Sequence, residues 1–438
     1  MNIHDIEIVN IPAYPDYRYD VIFQAYKWDP QVSDVNTISP HAVLLDAMTA
    51  KKLEQWAELL YEETVRMEEA LLRNLSLATQ LGLPTRILKA LARMRGYDRS
   101  RHVRLMRFDF HPTIGGGWAV SEVNSDVPGG LAEASILPGI AKRYLSDMTR
   151  TVGNRGKDGH MDPPLQGTDS QSGDYCQLST VNCQLNTDTT GILLEAFLSK
   201  LKPGGRVAFV HATSYADDRQ VMQCLNDRFR GGGLDTLFAA PDHIAWRDGR
   251  AISLLDGCEG ELDGIARFFP LEWLLNLPRR TKWEGFFENH TLACNHPVAI
   301  LTQSKRLPLV WDKLGIDAPT WKSLLPETAD PKNAVLPSHD WLLKPALGRV
   351  GEDIAFSGIT PEKERRSIEK AARKQPKDWI IQRKFESRPL VTPDGQPRHL
   401  CVGVFAIDGK AAGFYGRASK LALIDARAED IPILVVSG

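Results

Sequence analysis

Residues 103–126 read VRLMRFDFHPTIGGGWAVSEVNSD, and the pairing of its two halves decides how the chain is read. Apolar runs on either side of Gly115, Gly116 and Gly117 predict a β-hairpin. Side chains alternate between the two sides of a strand, so Glu122, Asn124 and Asp126 would share one face. With the turn centred on Gly115 and Gly116, Asp109 falls opposite Glu122 and Arg107 opposite Asn124. A register moved by two keeps that polar face together, whereas a register moved by one destroys it.

Two carboxylates, an amide oxygen and an arginine exceed what solvation of a surface hairpin needs. Exposed ion pairs contribute about 0 to 1 kcal/mol each, which is little reason to assemble four such groups. Magnesium takes hard oxygen ligands, usually one or two carboxylates with water and phosphate oxygens completing an octahedron. Asp109, Glu122 and Asn124 meet that demand, and Arg107 is suited to phosphate oxygens beyond the metal's reach.

A second constellation is WLLKPALGRVGED, residues 341–353. Lys344 ends an apolar strand, and Gly348, Arg349 and Gly351 lie in the loop after it. Glycines let backbone N–H groups close on phosphate oxygens, and a lysine adds a point charge to the same anion. The lysine precedes the glycines and no G-K-[ST] follows, so this is not a Walker loop.

The rest of the chain sets the frame. Its 438 residues leave room for about two to four domains. Hydrophobic residues make up 43% and charged residues 25%, as expected of a soluble globular protein. A formal net charge of -2 gives no global field for nucleic acid or a membrane surface, so an anionic ligand must be held locally. The six cysteines, Cys176, Cys183, Cys224, Cys258, Cys294 and Cys401, show no zinc-type spacing and read as reduced thiols. No signal peptide and no membrane-length apolar run is present in the sequence, which makes the cytoplasm the expected location.

Four segments are expected. Residues 1–149 hold an amphipathic helix over 50–73, marked by Leu53, Trp56, Leu59, Leu60, Met67 and Leu71, and then the hairpin. Residues 150–190 are polar and read as a disorder-prone surface insertion. Residues 191–275 alternate strand and helix, predicting a small parallel α/β unit. In that unit His211, at the end of the strand RVAFV, is more readily a structural histidine than a ligand contact. Residues 276–438 predict an antiparallel α+β unit, with strands in DWLLKPA, DIAFSGI, WIIQRKFE and a hairpin turning at Asp408-Gly409.

Taken together, R-x-D at Arg107, E-x-N-S-D at Glu122, SKRLPLVW from Ser304, KPALGRVG from Lys344 and GVFAIDGKAAGFYGRAS from Gly403 closely resemble the circularly permuted ATP-grasp ligases of the glutathionylspermidine synthetase family. The resemblance covers most of the chain, excepting the first hundred residues and the polar insertion. It implies an α+β ATP-grasp fold with a small α/β pre-ATP-grasp-like subdomain. It also implies an ATP- and magnesium-dependent ligase that joins a carboxylate, of a peptide or amino acid, to an amine through an acyl phosphate.

By the same resemblance Asp109, Glu122 and Asn124 hold Mg2+. Lys305, Lys344, Gly348, Arg349 and Gly351 hold the ATP phosphates, Ile381 and Gln382 lie beside adenine, and Arg107 and Arg417 act on the transferring groups. The bifunctional members carry an amidase domain, for which the hundred residues before the first motif offer no Cys/His pair; amidase activity is not expected. Small-molecule acid and amine are the expected partners. The alternative is a nucleotide-binding homologue that lost ligation and acts as a regulatory or partner-binding protein. A metal-dependent hydrolase would leave Lys344 and its glycines unexplained.

Overall fold

The computed structural model describes residues 5–154, 183–184, 187–333 and 339–437. The central element is a sheet in which the hairpin strands Leu105–Pro112 and Trp118–Asn124 pair with a second, distant hairpin, Pro397–Ile407 and Lys410–Ser419. Its spatial order runs from Glu429–Ile431 through Lys410–Ser419, Pro397–Ile407 and Leu105–Pro112 to Trp118–Asn124, with Pro389–Val391 also pairing on Pro397–Ile407. The second hairpin turns at Asp408 and Gly409, as its sequence predicts.

The hairpin's register is set in two stages. At its tip the Thr113 N–H donates to the Gly117 carbonyl at 2.9 Å, and Pro112 lies opposite Trp118 and Phe110 opposite Val120. Continued unchanged, this register would put Ser121 opposite Asp109 and turn Glu122 and Asn124 toward the apolar face. A bulge at Ser121 adds one residue, after which Asp109 faces Glu122 and Arg107 faces Asn124. The polar face therefore survives the extra residue because Ser121 is bulged out of the ladder, tied in place by a 3.0 Å hydrogen bond between Ser121 Oγ and His111 Nε2.

The opposite face of the sheet is apolar. Met106, Phe108, Phe110, Val120, Val123, Val402, Val404 and Phe414 are buried in one cluster with Leu53, Leu60, Met67 and Leu71 of the helix Ala47–Arg73. Asp46 caps that helix by accepting from the Thr49 N–H at 2.9 Å. Leu59, expected on its packed face, is 48% exposed instead, because the buried stripe runs through Leu53, Ala57 and Leu60.

The parallel unit forms as read. Strands Leu292–Cys294, Gly264–Arg267, Arg206–Val210 and Asp235–Ala239 lie side by side, all parallel, with helix Thr189–Leu198 leading into Arg206–Val210 and helix Ala216–Gly231 connecting it to Asp235–Ala239. It draws its last strand from beyond residue 275. A third sheet, ordered Thr328–Ala329, Trp379–Arg383 and Trp341–Pro345, is covered by the helix Glu362–Lys374. DIAFSGI does not make the expected strand: Ala355 forms a single bridge to Leu343, and turns on both sides prevent a ladder. The first and last strands, Ile6–Asn10 and Ile433–Val436, both flank His41–Asp46. The polar segment 150–190 lies largely outside the described residues. Among the described residues no helix is long and apolar enough to cross a membrane.

Candidate active site

The polar face of the central sheet gathers the hairpin residues into one hydrogen-bonded group. Arg107 grips Asp109 bidentately, Nε to Oδ1 at 2.7 Å and Nη2 to Oδ2 at 2.9 Å, and its Nη1 donates to the Gly129 carbonyl at 2.6 Å. The Asn124 amide donates to Asp109 Oδ2 at 2.9 Å. A side chain at Gly403, the partner of Asp109 on the next strand, would place its Cβ 2.7 Å from Arg107 Cδ. The glycine is what lets the arginine lie flat on the sheet. Arg417 projects from the same face one strand further on, opposite Cys401, and donates to the Asp425 carbonyl at 2.6 Å.

Two lysines complete the cluster. Lys305 Nζ stands 2.8 Å from Glu122 Oε2 and 2.6 Å from the Gly348 carbonyl, so one ammonium joins the hairpin to the glycine loop. Lys344 is buried and donates to Gln382 Oε1 at 2.7 Å. Burial, reinforced by Lys305, pushes its pKa down to about 8 against the opposing pull of Glu122 and Asp109. For Glu122, burial alone would raise the pKa; Lys305 and Lys344 outweigh it and hold the carboxyl below its ordinary value. Burial lowers His111 to about 4, so it is a neutral partner for Ser121.

The loop 348–351 is shaped for close approach. Gly351 has φ +70°, and a Cβ there would lie 2.5 Å from the Ile424 carbonyl; Val350 before it is also left-handed, at φ 51°. Arg349 points away from the lysines. It pairs with Glu272 at 3.0 Å and Asp126 at 3.3 Å, and belongs in this structure to a second network. Ile381 does not reach the site: its side chain is buried with Leu343, Ile368 and Ala372 under the helix, and strands flank its backbone on both sides. The alternation that buries Ile381 turns its neighbour Gln382 toward Lys344.

Asp126, expected on the face of Glu122 and Asn124, joins a different network, and further residues not singled out in the sequence line the cleft. Asp126 is fully buried, forming an ion pair with Arg267 and accepting from the Leu271 N–H at 3.0 Å. The Gln303 side chain accepts from the backbone N–H groups of Ser125 and Asp126, both at 2.8 Å. The apolar side of the cleft is built by Leu307, Pro308, Trp311, Trp321 and Leu325, next to Glu122, Lys305 and Gln382. Leu307, Pro308 and Trp311 lie within the segment SKRLPLVW and Asp126 within EVNSD, whereas Gln303 only adjoins Ser304 and Trp321 and Leu325 lie beyond any motif. His211 is buried, donating from Nδ1 to the Phe209 carbonyl at 3.0 Å, which supports a structural role.

Antiparallel sheets enclosing a lysine-lined cleft, beside a small parallel α/β unit, define an ATP-grasp fold. The whole chain bears this out: the family model described as glutathionylspermidine synthase preATP-grasp matches residues 9–436. The chain belongs to that family, one of synthetase-type ligases. Among solved structures it is similar to a glutathione synthetase-like effector from Globodera pallida in its apo form, at 12% identity over 91% of this chain and 90% of that one, TM-score 0.58. A candidate gamma-glutamylcysteine synthetase from Methylobacillus flagellatus aligns at 11% identity over 86% and 87% of the two chains, TM-score 0.43. No curated protein matches the chain.

Proposed function

We propose that this protein is an ATP- and magnesium-dependent carboxylate–amine ligase working through an acyl phosphate. The observation that carries the reading is the convergence of Arg107, Lys305 and Lys344 with Asp109, Glu122 and Asn124 in one cleft, joined through Lys305 to the glycine loop. Two carboxylates and an amide oxygen suit magnesium in type and number. Three buried or half-buried cations exceed what those carboxylates neutralise, and the excess suits a polyphosphate.

Asp109, Glu122 and Asn124 would hold the metal, which supplies charge neutralisation between the phosphates when bound. In the ligand-free protein each metal-binding carboxylate is engaged by a protein cation, Asp109 by Arg107 and Glu122 by Lys305. Asp109 and Glu122 would hold the metal only once released by Arg107 and Lys305, which would then be free to pair with phosphate oxygens. Lys305 and Lys344 fix the nucleotide phosphates, and the 348–351 loop closes over them. A substrate carboxylate oxygen then attacks the terminal phosphorus and ADP leaves. An amine next attacks the acyl carbon, the C–N bond forms, and phosphate departs. Negative charge accumulates on transferring oxygens in both steps, and Arg107 and Arg417 would stabilise it.

A phosphate-release screen over paired acids and amines tests this reading. Release that needs both partners, and that Glu122→Ala abolishes in a protein of unchanged melting behaviour, is expected. Absence of release for all pairs, together with no thermal stabilisation by a non-hydrolysable ATP analogue with magnesium, would remove ATP-dependent ligation.

A further inference from the structure

Arg107 raises a question of support. Its Nε and Nη2 both depend on Asp109, the carboxylate that must give up oxygen to a metal if the site works as proposed. Its remaining contacts are the Gly129 carbonyl and the ring of Tyr415, whose centroid lies 5.2 Å from the guanidinium carbon. A cation over an aromatic face is attracted by the ring's quadrupole, more strongly when both are out of water.

The ring is held from several directions. The Tyr415 hydroxyl donates to Asp430 Oδ1 at 2.6 Å. The other oxygen of Asp430 takes Lys27 Nζ at 2.7 Å, and Lys27 also meets Glu133 Oε1 at 3.0 Å. On one flank a Cβ at Gly130 would lie 2.5 Å from the ring, so the backbone is pressed against the aromatic. Gly130 and Gly403 thus clear space for two parts of one stack, the ring and the arginine on it. Strand alternation turns Tyr415 away from the main apolar cluster that takes Phe414; Tyr415 packs against the second apolar cluster and shares its sheet face with Arg417.

We propose that Tyr415 is the positioning residue for Arg107, holding the guanidinium on the sheet while Asp109 is engaged elsewhere, with Asp430 and Lys27 fixing the ring. The inference rests on the ligase reading of the hairpin face. Arg107 and Arg417 repel each other, and the ring gives Arg107 a reason to stay that survives the loss of Asp109.

The test compares Tyr415→Phe, Tyr415→Leu and Gly403→Ala under steady-state turnover, with thermal melting in the presence of an ATP analogue and magnesium. Tyr415→Phe keeps the aromatic face and stays within about three-fold of wild-type kcat. Tyr415→Leu loses it, and kcat falls roughly ten-fold while the KM for ATP changes by less than about three-fold. Gly403→Ala reaches the same phenotype by another route, since its Cβ displaces the Arg107 side chain. Equal impairment of Phe and Leu, or a Leu variant that melts earlier but keeps kcat, would overturn the assignment. A crystal structure of Asp109→Ala/Tyr415→Leu with Arg107 still lying on the sheet, as it does in Asp109→Ala alone, would overturn it without reference to turnover. A wild-type protein that consumes no ATP would fail the ligase reading, and the crystal structure would still decide the stack.

Discussion

Lys344 should make the ligand-free protein less stable than it could be. Its pKa of about 8, against an ordinary 10.5, means that the charged form is worse off in the fold than in water. At 1.36 kcal/mol per pKa unit this is about 3 kcal/mol at pH 7. Lys344→Met removes the charge and leaves Gln382 Oε1 without its donor, which costs roughly 1 kcal/mol, so a net stabilisation of about 2 kcal/mol is expected.

The pH dependence follows from the sign. Below pH 8 both folded and unfolded chains carry the proton and the full penalty applies. Between pH 8 and 10.5 the unfolded chain binds a proton that the folded one lacks, so the wild type regains stability as pH rises. The advantage of the variant should shrink by about 2 kcal/mol between pH 7 and pH 9.5. Urea unfolding of both proteins at the two pH values measures this, and nucleotide with magnesium should stabilise only the wild type. A variant less stable than wild type at pH 7, or a gap indifferent to pH, would refute the electrostatic account.

Deleting Ser121 removes the bulge and carries the tip register straight on to Glu122 opposite Asp109 and Asn124 opposite Arg107, so nucleotide- and metal-dependent stabilisation should survive in thermal melting, whereas one further residue inserted after Ser121 turns both side chains to the apolar face and should abolish it. Asp126→Asn leaves the buried Arg267 charge without its counterion and should cost about 3 to 5 kcal/mol in denaturant unfolding, with Arg267→Met in the same background recovering part of the loss. His102 is lowered by burial to about 4 and His296 well below its ordinary value, and both accept backbone N–H groups, from Ala293 and Val298. As pH falls from 6.5 towards 4 the unfolded chain takes up protons the folded chain refuses, so stability should drop with a slope approaching about 2.7 kcal/mol per pH unit for the pair. In His102→Gln the slope of the same pH series should be shallower by about 1.4 kcal/mol per pH unit.

Much of the site was legible because its parts lie within one hairpin or one loop. Alternation placed Arg107, Asp109, Glu122 and Asn124 on a common face. A broken alternation, Val120 and Val123 three apart in the apolar pattern, recorded the bulge that the simple turn count passed over. The same period, applied to WIIQRKFE, separates the Gln382 side chain from that of Ile381.

Tertiary structure alone decided the long-range pairs. Asp126 meets Arg267 and Arg349 at separations of 141 and 223 residues, and Lys305 meets the Gly348 carbonyl 43 residues away. Tyr415 comes under Arg107 only because two hairpins nearly three hundred residues apart join in one sheet. The sequence by itself determined which side chains share a face, since backbone geometry sets the period of two along a strand. Which faces meet depends on how sheets bury their apolar sides against one another and against the Ala47–Arg73 helix, and that minimum belongs to the chain as a whole.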